Sequence, residues 1–149
     1  MAPAAWADAF EDGVIAYDQG RYGEAKVHFE LLIESGHSGA EAMLGIMYFN
    51  GQGVVKDRFI AAIWFYKGAR RGNPSAQLAY GSLYFNGVGV RPNPVTAYTW
   101  ITLAEKNGEG QVLNAARLLK AQIAAVLSED QRRKAEAKVA AWKPVWPGN

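Results

Sequence analysis

Apolar residues between positions 40 and 48 recur at the spacing of one helical face: Ala40, Met43, Leu44, Met47 and Tyr48 stand at i, i+3, i+4, i+7 and i+8. Ala76, Ala79, Tyr80, Leu83 and Tyr84 repeat that spacing further along the chain. Each run is followed by a glycine-rich stretch and then by a second helical pattern, Ala61, Trp64, Phe65 and Ala69 in one case and Ala97, Trp100, Ile101 and Ala104 in the other. The pattern predicts two helical hairpins. Alanine lets the paired helices approach closely, and tryptophan fills the space between neighbouring hairpins, where truncation to alanine costs roughly 3–5 kcal/mol if the site is buried.

The two hairpins are copies of one unit. Gly45-Ile46-Met47-Tyr48-Phe49-Asn50-Gly51-Gln52-Gly53-Val54 returns 36 residues later as Gly81-Ser82-Leu83-Tyr84-Phe85-Asn86-Gly87-Val88-Gly89-Val90, with seven of ten positions identical. The register continues through Ala61/Ala97, Trp64/Trp100 and Gly72/Gly108. A fixed period in this range marks stacked units, none of which buries a core alone. In each connecting loop two glycines end one helix and turn the chain, and Val54 and Val90 plug the turn.

Residues 6–36 read as an earlier unit with Gly13, Tyr17, Gly20, Ala25 and Phe29. Gly13 precedes Ala25 by 12 residues whereas Gly45 precedes Ala61 by 16, so its loop is four residues shorter. Beyond Gly108 the register fades: Arg117 occupies the place of the repeat glycine, and a helix is predicted through Val112, Leu113, Ala116, Leu119, Ile123 and Val126. Ser128-Glu129-Asp130-Gln131 fits a capping box that starts a last helix with Ala135, Val139 and Trp142, stopped by Pro144. The tail Lys143 to Asn149, with Trp146 between two prolines, is expected to dock as an aromatic plug.

The pattern Leu44-Gly45, Tyr48, Gly51, Gly53-Val54, Asp57, Ala61, Trp64, Ala69, Gly72 resembles the Sel-one-like repeat, a longer-looped relative of the tetratricopeptide repeat. The first unit is more similar to a tetratricopeptide repeat proper. Departures are small: Asn93 replaces Asp57, Glu105 replaces the second-helix alanine, and Pro92 and Pro94 precede the third unit's second helix. The resemblance implies an all-α, right-handed superhelical solenoid of antiparallel helix pairs. Its expected parts are a tetratricopeptide-like unit at 6–36, repeats at 40–72 and 76–108, and capping helices at 110–143.

Composition narrows the chemistry. The 149 residues support one domain. There is no run of 18 apolar residues, so no membrane span is predicted. The sequence as given shows no signal-peptide pattern, while the small residues of Met1-Ala2-Pro3-Ala4-Ala5 suit the start of a trimmed exported protein; a periplasmic or secreted location is favoured over a cytoplasmic one. Cysteine is absent, which excludes disulfides and thiolate catalysis, and the two isolated histidines give no metal set, so neither cofactor nor metal is expected. His28 and His37 read as surface or inter-helix filling. No nucleophile-elbow serine or Gly-Lys-Ser ending occurs. Lys67, Arg70 and Arg71 read as a cationic helix end rather than an anion site, so nucleic acid is not an expected partner. Residues 1–45 hold eight acids and two bases, and residues 46–149 six acids and fourteen bases. This gradient suits weak self-association.

If the helices pack as the family implies, each first helix points one face to a concave surface. Those positions are Phe10, Val14, Tyr17 and Asp18, then Ala42, Ile46, Phe49 and Asn50, then Leu78, Ser82, Phe85 and Asn86. Tyr17, Asp18, Ile46, Phe49, Asn50, Leu78, Ser82, Phe85 and Asn86 are the candidate partner-binding residues, with Tyr17, Phe49 and Phe85 as an aromatic row. Two other readings stay open at this stage: Asn50 and Asn86 as helix-ending residues, and the phenylalanines as packing against the next hairpin. The function expected is a non-enzymatic adaptor holding a protein or peptide. The alternatives are a self-assembling structural module or, with Asp18 as its groove carboxylate, a hydrolase of a polymeric substrate.

Overall fold

The computed structural model describes residues 4–146 and contains, among them, eight α-helices and no strand. They are α1 (Ala4–Asp18), α2 (Tyr22–Leu31), α3 (Ser38–Asn50), α4 (Arg58–Arg70), α5 (Pro74–Asn86), α6 (Pro94–Asn107), α7 (Gly110–Ala124) and α8 (Glu129–Ala141). Successive helices pair as α1 with α2, α3 with α4 and α5 with α6, and each hairpin packs on the next through α2 on α3 and α4 on α5. The expected export start falls partly on residues 1–3 and the expected tail partly on residues 147–149, which lie outside the described residues.

Side chains at the helix starts explain the boundaries. His37, Asp57, Asn73, Asn93 and Ser128 each accept backbone N–H groups of the first turn, and Pro74 and Pro94 sit where an N–H has no helical partner. The Ser128–Gln131 capping box is present in full. Gly51 and Gly87 end α3 and α5 in left-handed geometry, each donating its N–H to the carbonyl four residues earlier. Gly89 (φ 72°) combines a positive φ with close approach: a Cβ there would strike the Arg58 carbonyl at the start of α4. Gly53 lies in the same way against Tyr22 at the start of α2.

Within each hairpin one glycine of the first helix receives a large side chain of the second. A Cβ on Gly13 would lie 2.7 Å from the Phe29 ring, on Gly45 2.5 Å from the Phe65 ring, and on Gly81 2.8 Å from Ile101 Cδ1. Small residues there let the helices close, and Ala25, Ala61 and Ala97 do the same from the other side at no exposure. The resulting core is a chain of apolar clusters: Phe29, Leu32, Leu44 and Met47 with Trp64 at its edge, then Ala61, Phe65 and Leu83, then Ile101, Ala116, Ile123 and Ala135.

The last two helices depart from the hairpin scheme. α7 packs on α6 and α5 as the first helix of a further unit would, but α8 lies chiefly against α6. Two expectations are corrected. Val126 is beyond the end of α7 and 62% exposed, because that helix stops at Ala124. The tail docks through its main chain, the Val145 N–H donating to the Arg70 carbonyl at 2.8 Å, while Trp146 is 61% exposed and plugs nothing.

Candidate functional site

The first-helix residues singled out from the sequence fall into two layers. Asp18, Asn50 and Asn86 are exposed at the ends of α1, α3 and α5. Tyr17, Ile46, Phe49, Leu78, Ser82 and Phe85 are half-buried. Ile46 and Phe49 pack against the cluster of Ala61, Phe65 and Leu83, and Leu78 and Phe85 against that of Ile101 and Ala116. The aromatic row is therefore split among three clusters, each ring wedged at a seam between hairpins with part of its surface open. Arg58 lies over the Phe49 ring at 5.7 Å.

Polar side chains on this surface are engaged locally. The Tyr17 hydroxyl donates to Gln52 Oε1 at 2.7 Å, Gln52 Nε2 donates to the Tyr22 hydroxyl at 3.1 Å, and Asn50 Nδ2 donates to the same Gln52 oxygen at 3.1 Å. Gln52 thus ties the first hairpin to the loop of the second. In the next unit Val88 replaces it and packs on the core instead. Ser82 Oγ donates to the Leu78 carbonyl and Asn86 Nδ2 to the Ser82 carbonyl, both inside α5. Asn50 and Asn86 keep exposed amide atoms beyond these bonds, whereas the Ser82 hydrogen is committed.

Lys67 and Arg70 lie in the last turn of α4 and Arg71 at its C-cap, and each of the three cations also has its own side-chain partner. Lys67 lies 4.2 Å over the Trp64 ring and Arg70 5.6 Å over Tyr66. Arg71 bonds the Glu41 carboxylate at 3.1 Å. Glu41 is fully buried, so desolvation pushes its carboxyl above the usual range against the downward pull of Arg71. His37 likewise does more than fill space. Its Nδ1 accepts the Ala40 N–H at 3.1 Å, its ring sits 4.6 Å from that of Phe10, and burial lowers its pKa.

Residues outside the predicted surface form a second feature. Tyr66, Tyr80, Tyr84 and Trp100 make an aromatic cluster with centroids 5.0–6.2 Å apart, edge-to-face except for the tilted Tyr66–Tyr80 pair. Burial and the Tyr84 hydroxyl raise the Tyr80 pKa. Trp100 continues into a cleft of about 320 Å³ between α6 and α8, lined also by Thr96, Thr99, Lys138, Ala141 and Trp142. Its visible signal in the sequence was the tryptophan pair, but not the return of α8 over α6. No group of three His, Asp or Glu side chains suited to a metal exists among the described residues, and no helix there is long and apolar enough to cross a membrane.

Comparison with known proteins matches this architecture. The solved structure of c5321, a protective antigen present in uropathogenic Escherichia coli strains and displaying an SLR fold, is similar over 90% of this chain at 26% identity and a TM-score of 0.81. A Sel1 repeat protein from Oxalobacter formigenes is similar in fold over 88% of the chain at 23% identity and a TM-score of 0.71. The matched regions are 29% and 54% of those two proteins. No curated protein matches the sequence. The family model of the Sel1 repeat matches residues 38–73 and 74–109, so the chain is a Sel1-like repeat protein, of a class of helical repeats that typically mediates protein–protein interaction.

Proposed function

We propose that this chain is a non-enzymatic adaptor that holds a protein or peptide segment along the surface formed by α1, α3 and α5. The observation that supports this reading is the repetition of one arrangement on consecutive first helices: an exposed amide or carboxylate (Asp18, Asn50, Asn86) directly after a half-buried aromatic ring (Tyr17, Phe49, Phe85). Rings held rigidly at hairpin seams offer apolar contact at little entropic cost, and the polar atoms beside them suit a peptide backbone. Tyr17, Ile46, Leu78 and Ser82 belong to the same surface, as rigid support more than as free contacts.

Because Phe49 and Phe85 also pack on the core, truncating them lowers stability as well as binding. The cleaner test places bulk and charge on the exposed layer, as Asn50→Arg with Asn86→Arg. Affinity capture from the source cell with native and double-variant protein, matched by thermal melts, is expected to lose partners at unchanged stability. Identical capture by both proteins would refute the reading.

A further inference from the structure

The second helices carry a surface that the adaptor reading leaves unused. The 36-residue period extends to them: Ala25, Ala61 and Ala97 are fully buried equivalents, and Phe29, Phe65 and Ile101 are buried equivalents. Their outward faces then align position by position. Val27 of α2 corresponds to Ile63 of α4 and Thr99 of α6, Glu30 to Tyr66 and Thr102, and Glu34 to Arg70 and Lys106. On α6 this face is covered by α8, leaving Thr99 and Thr102 only 7% exposed. On α4 the same face is more apolar yet open, with Phe59 65%, Ile63 42% and Tyr66 41% exposed, and on α2 Val27 and Leu31 are 56% and 70% exposed. A stripe of this kind marks a contact site.

Charge identifies what covers it. The open face of α4 carries the cation Arg70 at its end, whereas α2 carries Glu30, paired with Lys26, and the turn after it carries Glu34, the two carboxylates flanking Val27 and Leu31 around a shallow depression of about 340 Å³. Glu34 and Arg70 have no ion-pair partner among the described residues. Both helices start against the loop of the following hairpin, Tyr22 at Gly53 and Arg58 at Gly89, so they run in the same direction at the same height. A two-fold axis parallel to them and midway between them sets α2 of one molecule on α4 of another, twice. Each α2 residue then faces its own 36-residue counterpart, Val27 meeting Ile63, and Glu34 in the turn after α2 meets Arg70 at the end of α4. That is the self-complementary arrangement an isologous dimer requires.

We propose that the outward face of α2 and α4 is the docking site for a second copy of this chain. In the dimer the second copy does for α2 and α4 what α8 does within the chain for α6. The surface is separate from the one proposed for the adaptor function.

The chain has no cysteine, so introduced thiols report cleanly. Val27→Cys and Ile63→Cys proteins, both altered at exposed sites and checked by melting, are mixed under mild oxidation while sedimentation follows the native chain over a concentration series. The expected result is a disulfide-linked dimer joining the two variants, formed about tenfold faster than from either variant alone. Glu34→Arg and Arg70→Glu are each expected to weaken self-association about tenfold, with the double reversal restoring it. The Asn50→Arg/Asn86→Arg protein should dimerise normally, which separates failure of this proposal from failure of the adaptor reading. A native chain that stays monomeric at every concentration, faster linkage of Val27→Cys to itself, or no rescue in the double reversal would overturn the proposal. So would a monomeric chain whose α4 face takes a helix of another protein.

Discussion

The hairpins α3–α4 and α5–α6 share a backbone design but fill equivalent scaffold positions with different chemistry. Thirty-six residues apart, Glu41 answers to Gln77, Arg71 to Asn107, His37 to Asn73 and Asp57 to Asn93. The roles are conserved between the two. Arg71 bonds Glu41 at 3.1 Å and Asn107 bonds Gln77 at 3.1 Å, while His37 and Asn73 cap the first helices and Asp57 and Asn93 the second. One hairpin thus uses ionisable groups wherever the next uses amides. A position demands a hydrogen bond of given geometry, and charge is an option whose cost depends on burial.

The largest expected effect comes from leaving that cost uncompensated. Glu41→Ala strands Arg71, whose Nη1 is already buried without a partner, and should destabilise the fold by about 3–5 kcal/mol. Gln77→Ala removes only neutral bonds, to Asn107 and the Ala69 carbonyl, and should cost about 1–3 kcal/mol. Urea unfolding at neutral pH measures both. Equal losses would break the contrast between the hairpins.

A second contrast lies at the helix crossing. Gly45→Ala pushes a methyl group into the face of the Phe65 ring, which cannot flex aside, and should cost about 1–3 kcal/mol. In Gly81→Ala the methyl meets Ile101 Cδ1 and Cγ1 at 2.8 Å and the Ala97 carbonyl at 3.2 Å, and because the isoleucine can rotate where the ring cannot, thermal melts should show the smaller loss there. The reverse order would mean that backbone approach, and not the receiving side chain, sets the tolerance.

How much of this was legible in the sequence depends on range. Periodicity exposed the paired helices, and the glycines and caps near Gly51, Gly87 and Ser128 exposed their ends, because those features act within one turn of chain. The Glu41–Arg71 pair spans 30 residues and two helices. It becomes visible only when the repeats are laid over each other and its amide counterpart is recognised. The His37 cap was missed because histidine is not among the usual capping residues. The placement of α8 on α6, and of Val145 on Arg70, is a choice among several apolar faces that short-range pattern cannot make. The surface of first helices was legible in phase alone: spacing placed Phe49 and Phe85 on it, but their burial is set by the neighbouring hairpin.

The caps should differ in their response to pH. His37 accepts a hydrogen bond with Nδ1, which protonation abolishes, and burial holds its pKa below the ordinary 6.5. A depressed histidine contributes stability that is present above the unfolded value and lost as pH falls through the folded one. The loss should be about 1 kcal/mol, the worth of a cap. His37→Asn copies the Asn73 cap and should flatten this part of the stability–pH curve; an unchanged curve would locate the titration elsewhere.

The smallest effect is expected from converting one hairpin's buried pair into the other's. Glu41→Gln with Arg71→Asn reproduces Gln77–Asn107 and should leave stability at neutral pH within about 1 kcal/mol of native, since both desolvated charges leave together. The informative quantity is the slope. Burial raises the Glu41 pKa above its ordinary 4.5, so the native state holds that proton more tightly than the unfolded chain. This contribution is fully present below the unfolded value and is lost as pH rises through the folded one. Melting native and double-variant proteins between about pH 4 and pH 7 should therefore show the native protein losing ground to the variant as pH climbs. A native protein that gains ground instead would mean that Arg71 outweighs burial at this site, and that the charged hairpin is favoured by its ion pair.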